Sequence, residues 1–88
     1  MDFEWDSTKA LANRKKHSID FRTAAKVFLD PNVIEFDDLH SSGELRFNAI
    51  CVVDGRVLFV THATRGEVVR IISARRAQPH EKRKYHEI

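Results

Sequence analysis

The 88-residue chain is long enough for one domain and too short for two, because smaller units rarely bury enough apolar surface to fold alone. Its 42% hydrophobic content argues against disorder, and no apolar run approaches the roughly 20 residues of a membrane span. A single cysteine, Cys51, excludes an internal disulfide and a site of clustered thiolates. The acidic N-terminus is unlike a secretory signal, so we expect residues 1–88 to form one cytoplasmic domain with no membrane partner.

The net charge of +2 combines two basic segments with an acidic one between them. Residues 9–22 carry five basic and one acidic side chains, residues 70–88 carry six and two, and residues 30–69 carry three and seven. If the fold brings the basic segments together, they form a cationic face suited to phosphate groups. The alternative is that both are ordinary solvated helix surface.

The first third of the chain predicts a short strand followed by two helices. Alternating aromatic and acidic side chains over residues 2–6 indicate a half-buried strand, and a capping residue at its end begins a helix that runs to about His17. A second helix is expected to start at Ser18 to Asp20 and to end before Pro31, which forces the preceding residue out of helical geometry. Its apolar residues recur at helical spacing, at Phe21, Ala24, Ala25 and Phe28.

From residue 33 to residue 76 the chain changes to the two-residue period of β-structure. Four strands are predicted, over residues 33–36, 45–53, 56–61 and 67–75, with a polar loop over residues 37–43. The Asp54-Gly55 pair is typical of a hairpin turn, and Pro79 is suited to begin a last helix that runs through Tyr85. The predicted fold class is α+β, with a central antiparallel sheet of about four strands, two N-terminal helices and one C-terminal helix.

Two blocks of residues, one in each half of the chain, match a family signature in the same order. The first contains Phe3-Glu4-Trp5-Asp6, Lys9, Asn13, Lys16-His17, Phe21 and Ala24-Ala25. The second contains Arg65-Gly66, the run from Arg70 to Arg75, Ala77, Glu81 and Tyr85. In these residues the chain resembles the BrnT toxins of type II toxin–antitoxin systems from end to end. It departs from the family at Ser18 and near Cys51, where glycine is usual, and Ser18 is expected to cap the second helix instead.

The resemblance implies a RelE-like fold and a toxin that cleaves RNA and thereby arrests translation. It also implies a partner, a ribbon-helix-helix antitoxin of the BrnA kind that represses the operon as part of a DNA-binding complex. We expect the antitoxin to cover the cationic face, because complementary charge speeds association. The predicted strand over residues 33–36 is an exposed edge that can pair with a partner or with a second copy of the chain.

RNA cleavage by a 2′-hydroxyl needs a group that removes its proton, cations that stabilise the phosphorane charge and a group that protonates the leaving oxygen. Arginine suits the second role because its planar fork matches phosphate oxygens, and a histidine can serve as acid or base near neutral pH. Glu81 and Tyr85 share one side of the last helix, from which they can orient substrate or pass a proton. The catalytic candidates are Lys16, His17, Arg70, Arg75, Glu81 and Tyr85. Further RNA-binding candidates are Arg14, Lys15, Arg65 and Arg76.

These candidates also have purely structural interpretations. Basic residues that close the first helix are favoured there by the helix dipole. Regular strand alternation puts Arg70 on the same face as Ala74, where it needs an acidic partner unless it opens into a polar site. Glu81 can pair with a basic neighbour such as Arg83 or Lys84 instead of acting on a substrate.

No metal or cofactor is expected. The histidines are scattered, at positions 17, 40, 62, 80 and 86, and His80-Glu81 lacks the second histidine that a zinc-binding helix needs. The leading hypothesis is a metal-independent endoribonuclease. The alternatives are a non-catalytic module that binds nucleic acid or an antitoxin, and an enzyme fold kept only as a scaffold for its antitoxin.

Overall fold

The computed structural model describes residues 1–39 and 43–87, which form a five-stranded mixed sheet with helices on both of its faces. The strands are β1 (Asp2–Glu4), β2 (Ile34–Asp37), β3 (Arg46–Val53), β4 (Arg56–Arg65) and β5 (Val68–Arg76), in the spatial order β1-β5-β4-β3-β2. The helices are α1 (Ser7–His17), α2 (Phe21–Ala24) with a 3-10 turn (Ala25–Leu29) directly after it, and α3 (Pro79–His86). The α+β class is as predicted. The predicted loop over residues 37–43 lies partly outside the described residues.

The N-terminal strand belongs to the central sheet, so the prediction of an antiparallel sheet of about four strands is wrong in strand count and in one direction. β1 runs parallel to β5, with Asp2 opposite Val68 and Glu4 opposite Arg70. The other neighbouring pairs are antiparallel, as expected. Side-chain alternation predicts that residues 2–6 form a strand, but it contains no information about a partner so distant in sequence.

The second predicted helix is α-helical for only four residues and then tightens into the 3-10 turn. With three residues per turn, the 3-10 geometry brings Ala24 and Val27 to the same side, and both are fully buried. The cap of this helix is Asp20, whose carboxylate accepts a hydrogen bond from the Arg22 amide, so the expectation that Ser18 would cap it is wrong.

Ser18 ends α1 in a left-handed conformation. Its φ is 59°, and its amide donates to the carbonyl of Arg14. Helices commonly end on such a residue, and glycine is favoured there because it has no Cβ to clash. A glycine at this position would therefore suit the backbone better than serine does.

A β-bulge in β5 changes which side chains share a face. The register shifts between Thr61 and His62 of β4, so that Ile72 of β5 has no partner. Arg70 and Arg75, which regular alternation would put on opposite faces, consequently lie on the same face. The expectation that Ala74 shares a face with the first of these arginines is wrong for the same reason.

The main core lies between one face of the sheet and the segment formed by α2 and the 3-10 turn. Its buried members are Ile19, Phe21, Ala24, Val27, Ala49, Cys51, Val53, Leu58, Val60, Val69, Ile71 and Ala74. The side chains on this face have the period of two that half-buried strands show, apart from the step at the bulge. None of the helices in the described part of the chain is long and apolar enough to cross a membrane.

Side chains close the sheet where its short outer strands end. The Asn13 amide donates to the Ala74 carbonyl at 2.9 Å and accepts from the Ala74 amide at 3.1 Å, so α1 continues the edge that β1 leaves. On the other edge, Asp30 accepts a hydrogen bond from the Val52 amide at 2.7 Å, beyond the start of β2. Both residues satisfy backbone groups that would otherwise be free to pair with another chain.

Candidate functional site

The face of the sheet opposite the main core, here called the α3 face, carries the two arginines that the bulge brings to one side. Arg70 lies opposite Ala63 and Arg75 lies opposite Phe59, and these two positions of β4 share a face. Helix α3 packs against this face and contributes the acidic partner of the second arginine.

Arg75 is held rigidly by Glu81 of α3. Its Nη1 and Nη2 atoms donate to the two carboxylate oxygens at 2.7 and 2.8 Å, and its guanidinium carbon lies 4.2 Å from the centre of the Phe59 ring. The Glu81 side chain is only 9% exposed, whereas that of Arg75 is 30% exposed. A bidentate pair over an aromatic ring fixes the guanidinium plane and still leaves part of it open to solvent.

The Glu81 carboxylate is fully engaged in the folded protein. It also accepts a hydrogen bond from the Gln78 amide at 2.7 Å and so completes the capping box of α3. Burial alone would raise the pKa of Glu81, but the hydrogen bonds from Arg75 and from the Gln78 amide outweigh burial and hold the pKa below its usual value. Its main partner is therefore Arg75 on the strand, and not Arg83 or Lys84 of its own helix.

Tyr85 ties α3 to the end of the 3-10 turn. Its hydroxyl donates to the Asp30 carboxylate at 2.5 Å, and its side chain is buried. This hydrogen bond, together with burial and the nearby negative charge, raises the pKa of Tyr85 to about 12. Burial raises the pKa of Asp30, but hydrogen bonds from Tyr85 and from the Val52 and Asn32 amides bring it below its usual value. The tyrosine proton is therefore held in a structural contact.

Arg70 has an acidic partner, as its structural interpretation requires. Its Nη1 atom donates to the Glu4 carboxylate at 3.1 Å across the β1–β5 pair, and its side chain is 25% exposed. Arg46 of β3 lies in the same row on the other side of Ala63, and its Nε atom is buried with no hydrogen-bond partner among the described residues. Arg46 was not among the predicted site residues, although its position before Phe47 fits the alternation of that strand.

The last turn of α1 lies beside the C-terminal end of β5. Lys16 and His17 follow Asn13 by three and four residues, so they lie on the same side of the helix one turn beyond the contact with Ala74. The other basic residues of this turn are Arg14 and Lys15. Lys16 and His17 therefore follow the Asn13–Ala74 contact toward the end of β5 that carries Arg75 and Arg76, whereas Arg70 lies near the other end of that strand. Arg14 instead lines a separate cleft with Trp5, Asp20 and Arg22.

The remaining two RNA-binding candidates lie at opposite ends of the sheet. Arg76 is exposed and lies opposite Leu58 of the core face, so its side chain leaves β5 on the side away from Arg75. Arg65 ends β4 at the start of β5 and is ion-paired with Glu44 at 2.9 Å. At 3.3 Å per residue, the length of β5 separates the two by roughly 26 Å.

One cavity formed by the described residues has the wrong charge for RNA. It is an open groove of about 790 Å³ near the β4–β5 turn, lined by Met1, Phe28, Glu35, Phe36, Asp37, Phe47, His62, Thr64, Gly66, Glu67 and Val69. Its lining has three carboxylates and neither lysine nor arginine, which disfavours phosphate. Burial lowers the pKa of His62, and the Glu35 carboxylate only partly offsets this effect, so the imidazole adds no positive charge at neutral pH.

Within residues 1–39 and 43–87, no group of three or more histidine, cysteine, aspartate or glutamate side chains is placed to hold a metal ion. His40, one of the five histidines considered above, lies outside the described residues. The chemistry that the geometry does offer is cationic: a fixed, partly exposed guanidinium on the α3 face, and basic side chains of α1 near the same end of β5.

A family model described as "ribonuclease toxin, BrnT, of type II toxin-antitoxin system" matches residues 5–81. The chain belongs to the BrnT toxin family. The resemblance noted in its two sequence blocks is thereby confirmed. A comparison with curated proteins gave no match. Membership makes the protein a ribonuclease toxin of a type II toxin–antitoxin system and implies an RNA substrate and an antitoxin partner.

Proposed function

We propose that this BrnT-family protein is a metal-independent endoribonuclease in which Arg75 is the fixed cation. The observation that carries the proposal is the Arg75–Glu81 pair, in which a buried carboxylate holds a partly exposed guanidinium through two hydrogen bonds. A cation that is already oriented before substrate binds can stabilise developing negative charge without reorganising in the transition state. The pair is therefore suited to a phosphorane intermediate or transition state.

In the proposed reaction a 2′-hydroxyl attacks the adjacent phosphorus, the P–O5′ bond breaks, and a 2′,3′-cyclic phosphate and a 5′-hydroxyl remain. His17 takes the proton of the 2′-hydroxyl and gives a proton to the leaving 5′ oxygen, and Lys16 adds positive charge beside it. Arg70 contacts the RNA strand further along the α3 face. Glu81 and Tyr85 act as positioning residues, because the first orients the guanidinium and the second fixes α3. Arg14, Lys15 and Arg76 extend the cationic region, whereas Arg65 lies outside it.

The proposed antitoxin is a ribbon-helix-helix protein of the BrnA kind that forms a DNA-binding complex with the toxin. It covers the cationic end of the sheet and so keeps RNA away, and complementary charge favours rapid association. We place the free toxin in the cytoplasm, where loss of messenger RNA arrests translation. A RelE-like arrangement of the sheet and helices is part of the same proposal.

The direct test is to incubate the purified protein with single-stranded RNA in excess EDTA and to analyse the ends that form. We expect new 5′-hydroxyl and 2′,3′-cyclic phosphate ends, because the nucleophile belongs to the RNA itself. Cleavage only after a divalent ion is added back would overturn metal independence. RNA that is shifted in a gel but remains intact would support the alternative, a non-catalytic nucleic-acid-binding module.

A further inference from the structure

A second, smaller cleft of about 330 Å³ lies between the β3–β4 turn and α3. Its lining residues are Gly55, Arg56, Val57, Arg76, Lys82 and His86. Three of these six are arginine or lysine, a fourth is histidine and none is acidic, which is the reverse of the large groove at the other end of the sheet. Only Arg76 among them was predicted from the sequence to bind RNA.

The fold builds this cleft from neighbouring strands and one side of α3. Arg56 begins β4 and Arg76 ends β5 opposite Leu58, so both arginines lie on the same face of adjacent strands. The Ala77 amide donates to a β4 carbonyl at 2.9 Å, which brings the start of α3 next to these strands. Lys82 and His86 are four residues apart and therefore share one side of that helix.

The arginines and the lysine of this cleft carry charge that the described part of the chain does not neutralise. No carboxylate of the described residues lies within ion-pair distance of Arg56, Arg76 or Lys82. Arg65, Arg70 and Arg75, by contrast, each have a glutamate partner. Gathering like charges without an acid is unfavourable in the free protein and makes the cleft attractive to an anion.

We infer that the cleft binds a phosphate group of the RNA strand, next to the phosphate held at Arg75. This inference rests on the proposed function for the identity of the strand. Arg75 and Arg76 are consecutive and leave β5 on opposite sides, so a strand that passes the end of β5 contacts both. Two guanidinium forks and an ammonium group provide directional and point-charge contacts of the kind that phosphate accepts.

The test measures binding separately from cleavage, with a single-stranded 2′-O-methyl RNA that keeps its phosphates and lacks the attacking hydroxyl. The cleft variant is Arg56→Gln/Lys82→Gln, and the control is Lys9→Gln/Arg22→Gln, which removes the same charges from the first turns of α1 and α2. Affinity is measured over a range of salt concentrations. We expect the slope of log affinity against log salt to weaken by about 0.7 for each phosphate that the cleft variant no longer neutralises, and to stay unchanged in the control.

Equal slopes for the wild type and the cleft variant, or an equal change in the control, would overturn the inference. If the double variant does not fold, the exposed single change Lys82→Gln must still weaken the slope by up to about 0.7, and no change would contradict the cleft. Failure of the proposed function looks different. In that case the slope of log affinity against log salt is still weaker for the cleft variant than for the wild type, but the wild type does not cleave unmodified RNA.

Discussion

Folding removes the side chains of Arg75 and Glu81 from water as a pair, and each provides the counter-charge of the other. A carboxylate that is 9% exposed can remain ionised only because the guanidinium and a backbone amide bond to it. Removing one partner of such a buried pair typically costs about 3–5 kcal/mol, because the remaining charge stays buried. A single change at Arg75 therefore mixes loss of folding with loss of chemistry, and the two residues have to be changed together.

Asp30 and Tyr85 form a second pair in which both titrations favour folding. The lowered pKa of Asp30 means that its contribution is complete above the ordinary aspartate pKa and is lost as pH falls through the lower folded value. The raised pKa of Tyr85 means that its contribution is complete below the ordinary tyrosine pKa and is lost as pH rises toward about 12. The contact is therefore strongest between these two limits.

We predict that Tyr85→Phe lowers the free energy of unfolding by about 1.5–3 kcal/mol near neutral pH, the usual range for a hydrogen bond to a charged group. The difference from the wild type shrinks below the ordinary pKa of aspartate and again above about pH 10, where tyrosine ionises in the unfolded chain. Urea unfolding of both proteins across this range measures it. A difference that is constant with pH would mean that Tyr85 stabilises the fold by packing alone.

At the level of single residues, the sequence does not predict which side chains become partners. Because Arg70 lies among aliphatic residues, it is expected to need an acidic partner. That partner is Glu4, which lies 66 positions away in the sequence. Tyr85 was predicted to orient substrate or pass a proton, whereas its hydroxyl is bonded to Asp30, which lies 55 positions away. Such partners are set by how the strands and helices pack, and no local pattern of residues contains that information.

At each edge of the sheet, one side chain bonds to strand backbone that no outer strand pairs with. β5 has nine residues and β1 has three, so most of one edge of β5 has no neighbouring strand. Asn13 fills this gap with hydrogen bonds to both backbone groups of Ala74 and to the carbonyl of Ile19. The asparagine of the first sequence block therefore has a structural role, which is to attach α1 to the sheet.

We predict that Asn13→Ala destabilises the protein by about 2–4 kcal/mol, because it leaves an amide and two carbonyls buried without partners. Chemical denaturation measures the change. The matched control is Leu11→Ala on the exposed side of the same helix, for which a change within about 0.5 kcal/mol is expected. A loss at Asn13 as small as that of the control would show that α1 is held by other contacts.

The order of the helices and strands was predictable because apolar residues recur at a different spacing in each kind of element. The bulge at Ile72 was not, since an isoleucine fits a regular strand as well as a bulged one. The bulge matters for the candidate site, because it alone puts Arg70 and Arg75 on one face of the sheet. The parallel pairing of β1 was equally hidden, because a strand of three residues has no turn signal to identify its neighbour.

Across the whole molecule, charge is separated toward the two ends of the sheet. The groove near the β4–β5 turn has an acidic lining, whereas the other end collects the last turn of α1, the end of β5 and the basic cleft beside α3. A negatively charged strand is thus attracted more strongly to the basic end than to the groove. The two basic segments of the sequence predict such a region, but not its members, since Arg56 comes from the acidic middle segment.

The most direct test of the central claim is the rate of RNA cleavage in EDTA by the double variant Arg75→Met/Glu81→Gln. This variant removes both charges of the pair, so neither charge is left without its partner. The control is Lys26→Gln/Asp54→Asn, which removes an exposed ion pair in the same way. With both variants shown to be folded by circular dichroism, we predict that the first cleaves about 10²–10³-fold more slowly than the wild type, the usual cost of losing one oriented charge-stabilising group. The control is predicted to cleave at the wild-type rate. A folded Arg75→Met/Glu81→Gln protein that cleaves RNA as fast as the control would contradict the role assigned to Arg75.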